Sequence, residues 1–233
     1  MNIKIISAQL VIYSPGIVIV NKLKVANAIN DNLLGLFDSD PVIIPLPEDA
    51  PPELPRIQMF SKDKRYSLLI ASNRIDFIFQ YKEEDEKSFP IPDFFEKFLT
   101  IFKYFSENLH TQFTRSAIVT NWIIELEKIS AAEFLLDKYI QDKTPIVKPY
   151  ELELHYLTKG TAAEFEINRW VRIKSARKMG EPEKNNLIFL LIDINTIAEK
   201  NYEFDRYSLQ RFLEQSSKIA KETIEEHLKK MEE

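Results

Sequence analysis

The sequence predicts an α+β fold: two β-α-β(3-4)-α units forming a curved, mostly antiparallel sheet with helices packed on one side. Three observations lead there. A near-continuous apolar strand at Phe113–Leu126 sits close to the middle of the 233 residues, after a long helix and before a short one. The chain opens in the same order, with a strand at Asn2–Tyr13 and a helix from about Val20. Each half then runs through a meander of short strands into a long amphipathic helix. The expected division is residues 1–110 and 111–233, packed as one continuous globular body.

In chain order, Asn2–Tyr13 carries apolar residues on both phases, which predicts a strand covered on both faces at its N-terminal end. Pro15-Gly16 turns the chain. Val25, Ile29, Leu33 and Leu36 then recur at helical spacing and predict a helix over Val20–Phe37. Val42-Ile43-Ile44 reads as an edge strand or a strand-like loop, and the proline-rich Pro47–Pro55 as an exposed connection, since proline lacks a ladder donor. A meander follows at Arg56–Ser61, Arg65–Ser72 and Arg74–Tyr81, with turns at Lys62-Asp63-Lys64 and Ser72-Asn73. After a charged loop at Lys82–Lys87, Asp93 serves as N-cap for a helix through Leu109. That helix buries Phe94, Phe95, Phe98, Leu99, Ile101, Phe102 and Phe105.

The second half repeats the pattern. Ser130 and Glu133 have the spacing of a capping box for a helix to about Ile140. Thr144–Pro149 is a proline-flanked connection. Strands follow at Tyr150–Thr158, Glu164–Lys174 and Asn186–Asn195, and a helix over Asp205–Lys230 buries Phe212, Leu213, Ile219, Ala220, Ile224, Leu228 and Met231. The repeat is one of element pattern, without residue-level similarity between the halves.

This element order resembles the duplicated TATA-binding-protein-like fold. The resemblance covers nearly the whole chain and implies a continuous curved sheet, helices on its convex side, and a concave face that binds a partner. Ser72-Asn73-Arg74-Ile75-Asp76-Phe77 and Leu191-Ile192-Asp193-Ile194-Asn195 are similar to strings in a sporadically distributed bacterial family of conserved hypothetical proteins. That likeness implies no activity.

Composition excludes several kinds of chemistry. With four glycines, at 16, 35, 160 and 180, no phosphate-cradling loop has its glycines at the required offsets. The absence of cysteine removes disulfides, thiolate metal sites and cysteine nucleophiles. The apolar N-terminus is broken by Lys4, Gln9 and Pro15 and reads as a strand and not a signal peptide. The longest apolar run, Leu187–Ile192, is too short to span a bilayer. The expected compartment is cytoplasmic, with no membrane contact. A net charge of −5 disfavours nucleic acid as the general partner while leaving a local basic patch open.

One such patch is on the strand Glu164–Lys174. Trp170, Arg172 and Lys174 share a phase, Arg177 and Lys178 continue the basic run, and His155 lies on the preceding strand. Cations flanking an exposed aromatic suit a phosphate backbone with a stacked base. The plainer alternative is a solvated face whose cations pair with Glu151 and Glu153 across the hairpin, and it is favoured. The histidines at 110, 155 and 227 are far apart in the sequence. His227 reads as part of a charged helix end, and His155 beside Glu153 is the one local pair with metal-like geometry, more simply a surface pair. Asp193 and Asn195 close an otherwise apolar strand, with Asp76 in the equivalent strand of the first half, and no second carboxylate is spaced to form a dyad.

These residues predict a non-enzymatic binding or scaffold protein, without cofactor or metal, presenting a sheet face to a protein partner. The alternative is nucleic-acid binding through residues 168–178. The apolar side of the last helix offers a route to a homodimer.

Overall fold

The computed structural model describes residues 1–47, 49–82, 92–127, 129–141, 148–177 and 185–232. Its elements run β1 (Asn2–Tyr13), α1 (Lys22–Asn32), β2 (Val42–Ile43), β3 (Ile57–Phe60), β4 (Tyr66–Ile70), β5 (Arg74–Gln80) and α2 (Pro92–Asn108), then β6 (Arg115–Glu125), α3 (Ala131–Tyr139), β7 (Glu153–Ala162), β8 (Phe165–Ala176), β9 (Leu187–Thr196) and α4 (Arg206–Glu232). The nine strands form one open, curled sheet in the order β2-β3-β4-β5-β1-β6-β9-β8-β7, antiparallel at every join, with the helices on one side. The β1–β6 pairing is a seam in the sheet, with β2 to β5 on one side of it and β7 to β9 on the other.

That seam is long. Tyr13 lies opposite Arg115 at one end and Asn2 opposite Glu125 at the other. On β6, Ile118, Thr120, Trp122 and Ile124 face the helices and are buried, while Ala117, Val119, Asn121 and Ile123 occupy the other face. β1 corrects the expectation of a strand covered on both sides. The register shifts between Ile5 and Ser7, a bulge at Ile6 that takes up one extra residue. Before the bulge Ile3 and Ile5 pack on the core, and after it Ala8, Leu10 and Ile12 do. Apolar residues on both phases thus record a change of phase, because one extra residue flips every later side chain.

The helices end where local chemistry stops them. Asn21 caps α1, its side chain accepting from the Lys24 N–H at 3.0 Å. The helix ends five residues short of Phe37, because Leu34 and Gly35 take positive φ of 55° and 76° and turn the chain off the helical path. Gly35 accepts that conformation without a Cβ penalty. All seven apolar residues expected on α2 are buried. Ser130 does cap α3 by position, but its side chain makes no capping bond, and its hydroxyl instead faces the Asn185 amide at 3.4 Å. The reciprocal box occurs at α4: Asp205 accepts from the Ser208 N–H at 2.6 Å while the Ser208 hydroxyl accepts from the Asp205 N–H at 3.0 Å.

The β7–β8 hairpin also differs from expectation. Its first strand runs past the expected end at Thr158, so that Gly160 lies inside β7. The turn is Ala163-Glu164, with Ala163 at φ 52°, so β7 extends to Ala162. The loop at Lys82–Lys87 and the connection at Thr144–Pro149 fall mostly outside the described residues.

Two aromatic clusters fill the space between sheet and helices. Phe77 on β5 meets Phe94 at 4.8 Å, Tyr66 at 5.8 Å, Phe98 at 6.3 Å and Phe37 at 6.4 Å between ring centroids. In the second half Phe165 stacks on Phe204 at 4.5 Å and meets Phe212 edge-on at 5.9 Å. Phe77 is fully buried at the hub of its cluster. Phe77→Ala is expected to cost about 3–5 kcal/mol, as large-to-small changes in packed cores do. Urea unfolding measures it, and a loss under about 1 kcal/mol contradicts this packing.

Candidate binding face

The helices cover one face of the sheet and leave the other open. Cross-strand register fixes what that open face carries. One row reads Leu69, Asp76, Val11, Ala117, Asn195 and Asn168. The next reads Ile78, Gln9, Val119, Asp193, Trp170 and Leu157. The face is a mixture of aliphatic and amide side chains with a few charges, and most of it is half-buried between neighbouring residues.

The charges near the seam are held internally. Asp76 is 1% exposed, accepts from the Gln9 amide at 2.7 Å and pairs with Arg74 at 2.8 Å. Burial pushes its carboxyl above the usual range, against the pull of Arg74 and Gln9. Asp193 is raised for the same reason, opposed by the 2.9 Å bond from the Asn195 amide and by Arg115. Arg115 lies over the Tyr13 ring at 4.9 Å, and burial raises the Tyr13 hydroxyl. Asp76 and Asp193 stand three strand spacings apart, about 14 Å, so they cannot share a proton or flank one bond. Among the described residues no group of three or more His, Asp or Glu side chains converges as a metal site. The cleft of about 440 Å³ beside Gln112 and Glu203 and that of about 250 Å³ beside Lys4 and Glu125 contain neither Asp76 nor Asp193.

The residues singled out on β7 and β8 lie together at one end of this face. Trp170 is half-buried, with its ring 4.8 Å from the exposed His155. Arg172 is exposed and pairs with Glu153 at 2.8 Å, the cross-hairpin neutralisation expected for a solvated face. Lys174 stands opposite Glu153 in the register. Arg177 stacks on the Tyr150 ring at 3.7 Å. Lys178 lies outside the described residues. Arg169 points the other way, under α4, donating to the Thr158 and Thr223 hydroxyls at 2.9 and 3.0 Å.

His227 corrects its sequence reading. It is not a charged helix end but a buried imidazole between two tyrosines, with Nδ1 2.9 Å from the Tyr139 hydroxyl and Nε2 2.7 Å from that of Tyr156. A neutral ring accepts from one hydroxyl and donates to the other. Burial, with Lys230 and Arg169 nearby, lowers its pKa to about 4. The signal was present, because 220, 224, 227 and 231 follow the helical period and His227 falls on the buried stripe of α4. Gln9, in the otherwise apolar second half of β1, was likewise a clue to the buried Asp76.

Two pH effects follow, of opposite sign. His227 binds its proton less readily folded than unfolded, so its contribution to stability is complete above pH 6.5 and is lost as pH falls toward about 4. Between about pH 7 and 5, where most carboxylates stay ionised, the native chain should lose on the order of 1–2 kcal/mol more than His227→Gln in urea unfolding. Equal losses contradict the buried neutral ring. Asp76, with a raised folded pKa, contributes stability at low pH that is lost as pH rises. Arg74→Ala removes its cation and should cost about 1–3 kcal/mol at neutral pH, with the cost shrinking in acid as the carboxyl protonates. A cost independent of pH contradicts that pairing.

Neither a scan against protein-family models nor a search of the curated proteins finds a match to this chain.

Proposed function

We propose that this chain is a non-enzymatic binding protein whose uncovered sheet face docks a protein partner. One observation carries the reading. A nine-stranded sheet has its helices on one side, and the other side presents the half-buried Ile78, Val119, Leu191 and Trp170 and the exposed Leu157 among amide side chains. Aliphatic and amide groups suit a partner's apolar side chains and backbone, whereas the central carboxylates already have internal partners, Asp76 in Arg74 and Gln9 and Asp193 in the Asn195 amide. The half-buried aromatic Trp170, with His155 against it, has the character of an anchor.

An internal duplication of the TATA-binding-protein-like kind agrees with the topology. Asp76 on β5 stands opposite Val11 of β1, and Asp193 on β9 stands opposite Val119 of β6. The same Val–Asp pairing flanks the seam on both sides.

Nucleic-acid binding is the second reading, favoured by Trp170 beside the exposed Arg172 at the same end of the face. The net charge of −5 and the Arg172–Glu153 pair weigh against it. Salt separates the two. Immobilised protein should retain its partner from a host lysate at about 0.1 and at about 0.5 M salt, whereas nucleic-acid retention falls steeply over that range. Val119→Arg and Trp170→Ala should each reduce retention about tenfold or more without altering the circular dichroism spectrum. Retention of nucleic acid alone, lost on Arg172→Glu, moves the assignment to the second reading. Retention indifferent to both face variants rejects this surface.

A further inference from the structure

The two edges of the sheet are treated differently. At one edge β2 has only two residues, between Pro41 and Pro45, which blunts it against further pairing. At the other edge β7 runs for ten residues without proline and with no register shift against β8. β7 is terminal in the strand order, and Tyr156 and Leu157 on it are each 38% exposed.

The direction of its free backbone groups can be worked out. The Ser175 N–H donates to the Leu152 carbonyl at 2.9 Å, and the Ile197 N–H to the Glu166 carbonyl at 3.1 Å. In an antiparallel ladder hydrogen-bonded pairs recur every second residue. Even-numbered residues of β7 therefore bond to β8. Glu153, His155, Leu157 and Lys159 turn their N–H and C=O groups outward, and their side chains lie on the uncovered face.

We propose that β7 pairs with β7 of a second copy, antiparallel about a twofold axis at Tyr156, joining two sheets edge to edge. In that register His155 meets the partner's Leu157 and Glu153 meets the partner's Lys159, each pair occurring twice. The four outward residues supply about eight intersubunit hydrogen bonds. Two complementary ion pairs at the ends select this register, since sliding by two residues toward the C-terminal side sets His155 against a lysine and leaves Glu153 opposite a threonine. Glu153 keeps capacity for both Arg172 and the incoming lysine, because a carboxylate has about four acceptor sites. The strand is also held ready. The Tyr156 hydroxyl is bonded to His227 on α4 at 2.7 Å, fixing the middle of the edge to the body of the protein. The apolar side of α4 offers no comparable surface, being buried as far as Met231.

The test uses the full chain at low salt. Sedimentation from about 1 to 100 µM should show a monomer–dimer equilibrium. Glu153→Lys and Lys159→Glu should each weaken the dimer about tenfold, while their equimolar mixture forms a heterodimer in which both ion pairs are restored. The chain has no cysteine, so His155→Cys and Leu157→Cys can be mixed and oxidised without background. A covalent dimer should form in the mixture and not from either variant alone, because residue 155 lies within about 5.5 Å of residue 157 of the opposite chain, whereas neither residue lies opposite its own counterpart. Circular dichroism establishes that each variant is folded. A folded monomer across the whole range overturns the proposal. So does a dimer that ignores the charge variants and gives no mixed disulfide.

Discussion

Backbone pairing between β1 and β6 is the constraint on which the rest of the sheet depends. These strands are the first and the sixth of the chain, yet they lie side by side at its centre. Everything else is added outward from them, β5, β4, β3 and β2 on one side and β9, β8 and β7 on the other. Because each pairing is antiparallel and one face is covered by helices, the phase chosen at the seam propagates to both edges. Leu10 and Ile118, paired across it, set the buried phase. The uncovered composition of Gln9, Val119, Asp193 and Trp170 is the other side of that choice.

The seam also sets the electrostatics. Val11 and Ala117 at the middle of the uncovered face are buried by surrounding side chains and not by a helix. Asp76 beside them is consequently removed from water and must be satisfied by Gln9 and Arg74. Arg115 over Tyr13, and Asn195 on Asp193, perform the same service on the other half. A face satisfied in this way presents shape and apolar contact more than net charge.

Much of the architecture was legible because its signals are local and periodic. The apolar stripe of α2 and the alternation Ile75, Phe77, Phe79 each point to one face, and the bounds of β1 and β5 follow from them. What was not legible depended on single residues with tertiary causes. The bulge at Ile6 leaves no mark other than apolar residues on both phases, which a doubly covered strand also shows. Ser130 has the spacing of a capping box, but Asn185, distant in the sequence, takes its hydroxyl. Gly160 has the composition of a turn, and Ala163 at positive φ does the turning. His227 among acids and lysines looked solvated until Tyr139 and Tyr156, from α3 and β7, met it. Arg172 on β8 has its counter-charge, Glu153, on the neighbouring strand, as alternation across a hairpin allows.

The seam has a consequence for synthesis. β1 ends at Tyr13 and its central partner does not begin until Arg115, so about a hundred residues are made in between. At about 5–20 residues per second that is roughly 5–20 s during which the first half can form β1 to β5 but leaves one side of β1 unpaired. A second nascent chain on the same message displays the same unpaired strand, and a completed β6 on either chain fits it equally well. Correct assembly then rests on proximity, since a β6 tethered to its own β1 meets it at a higher effective concentration than a stranger does. Crowded translation works against that advantage, and exchange of whole halves between chains is the characteristic error of such a sheet.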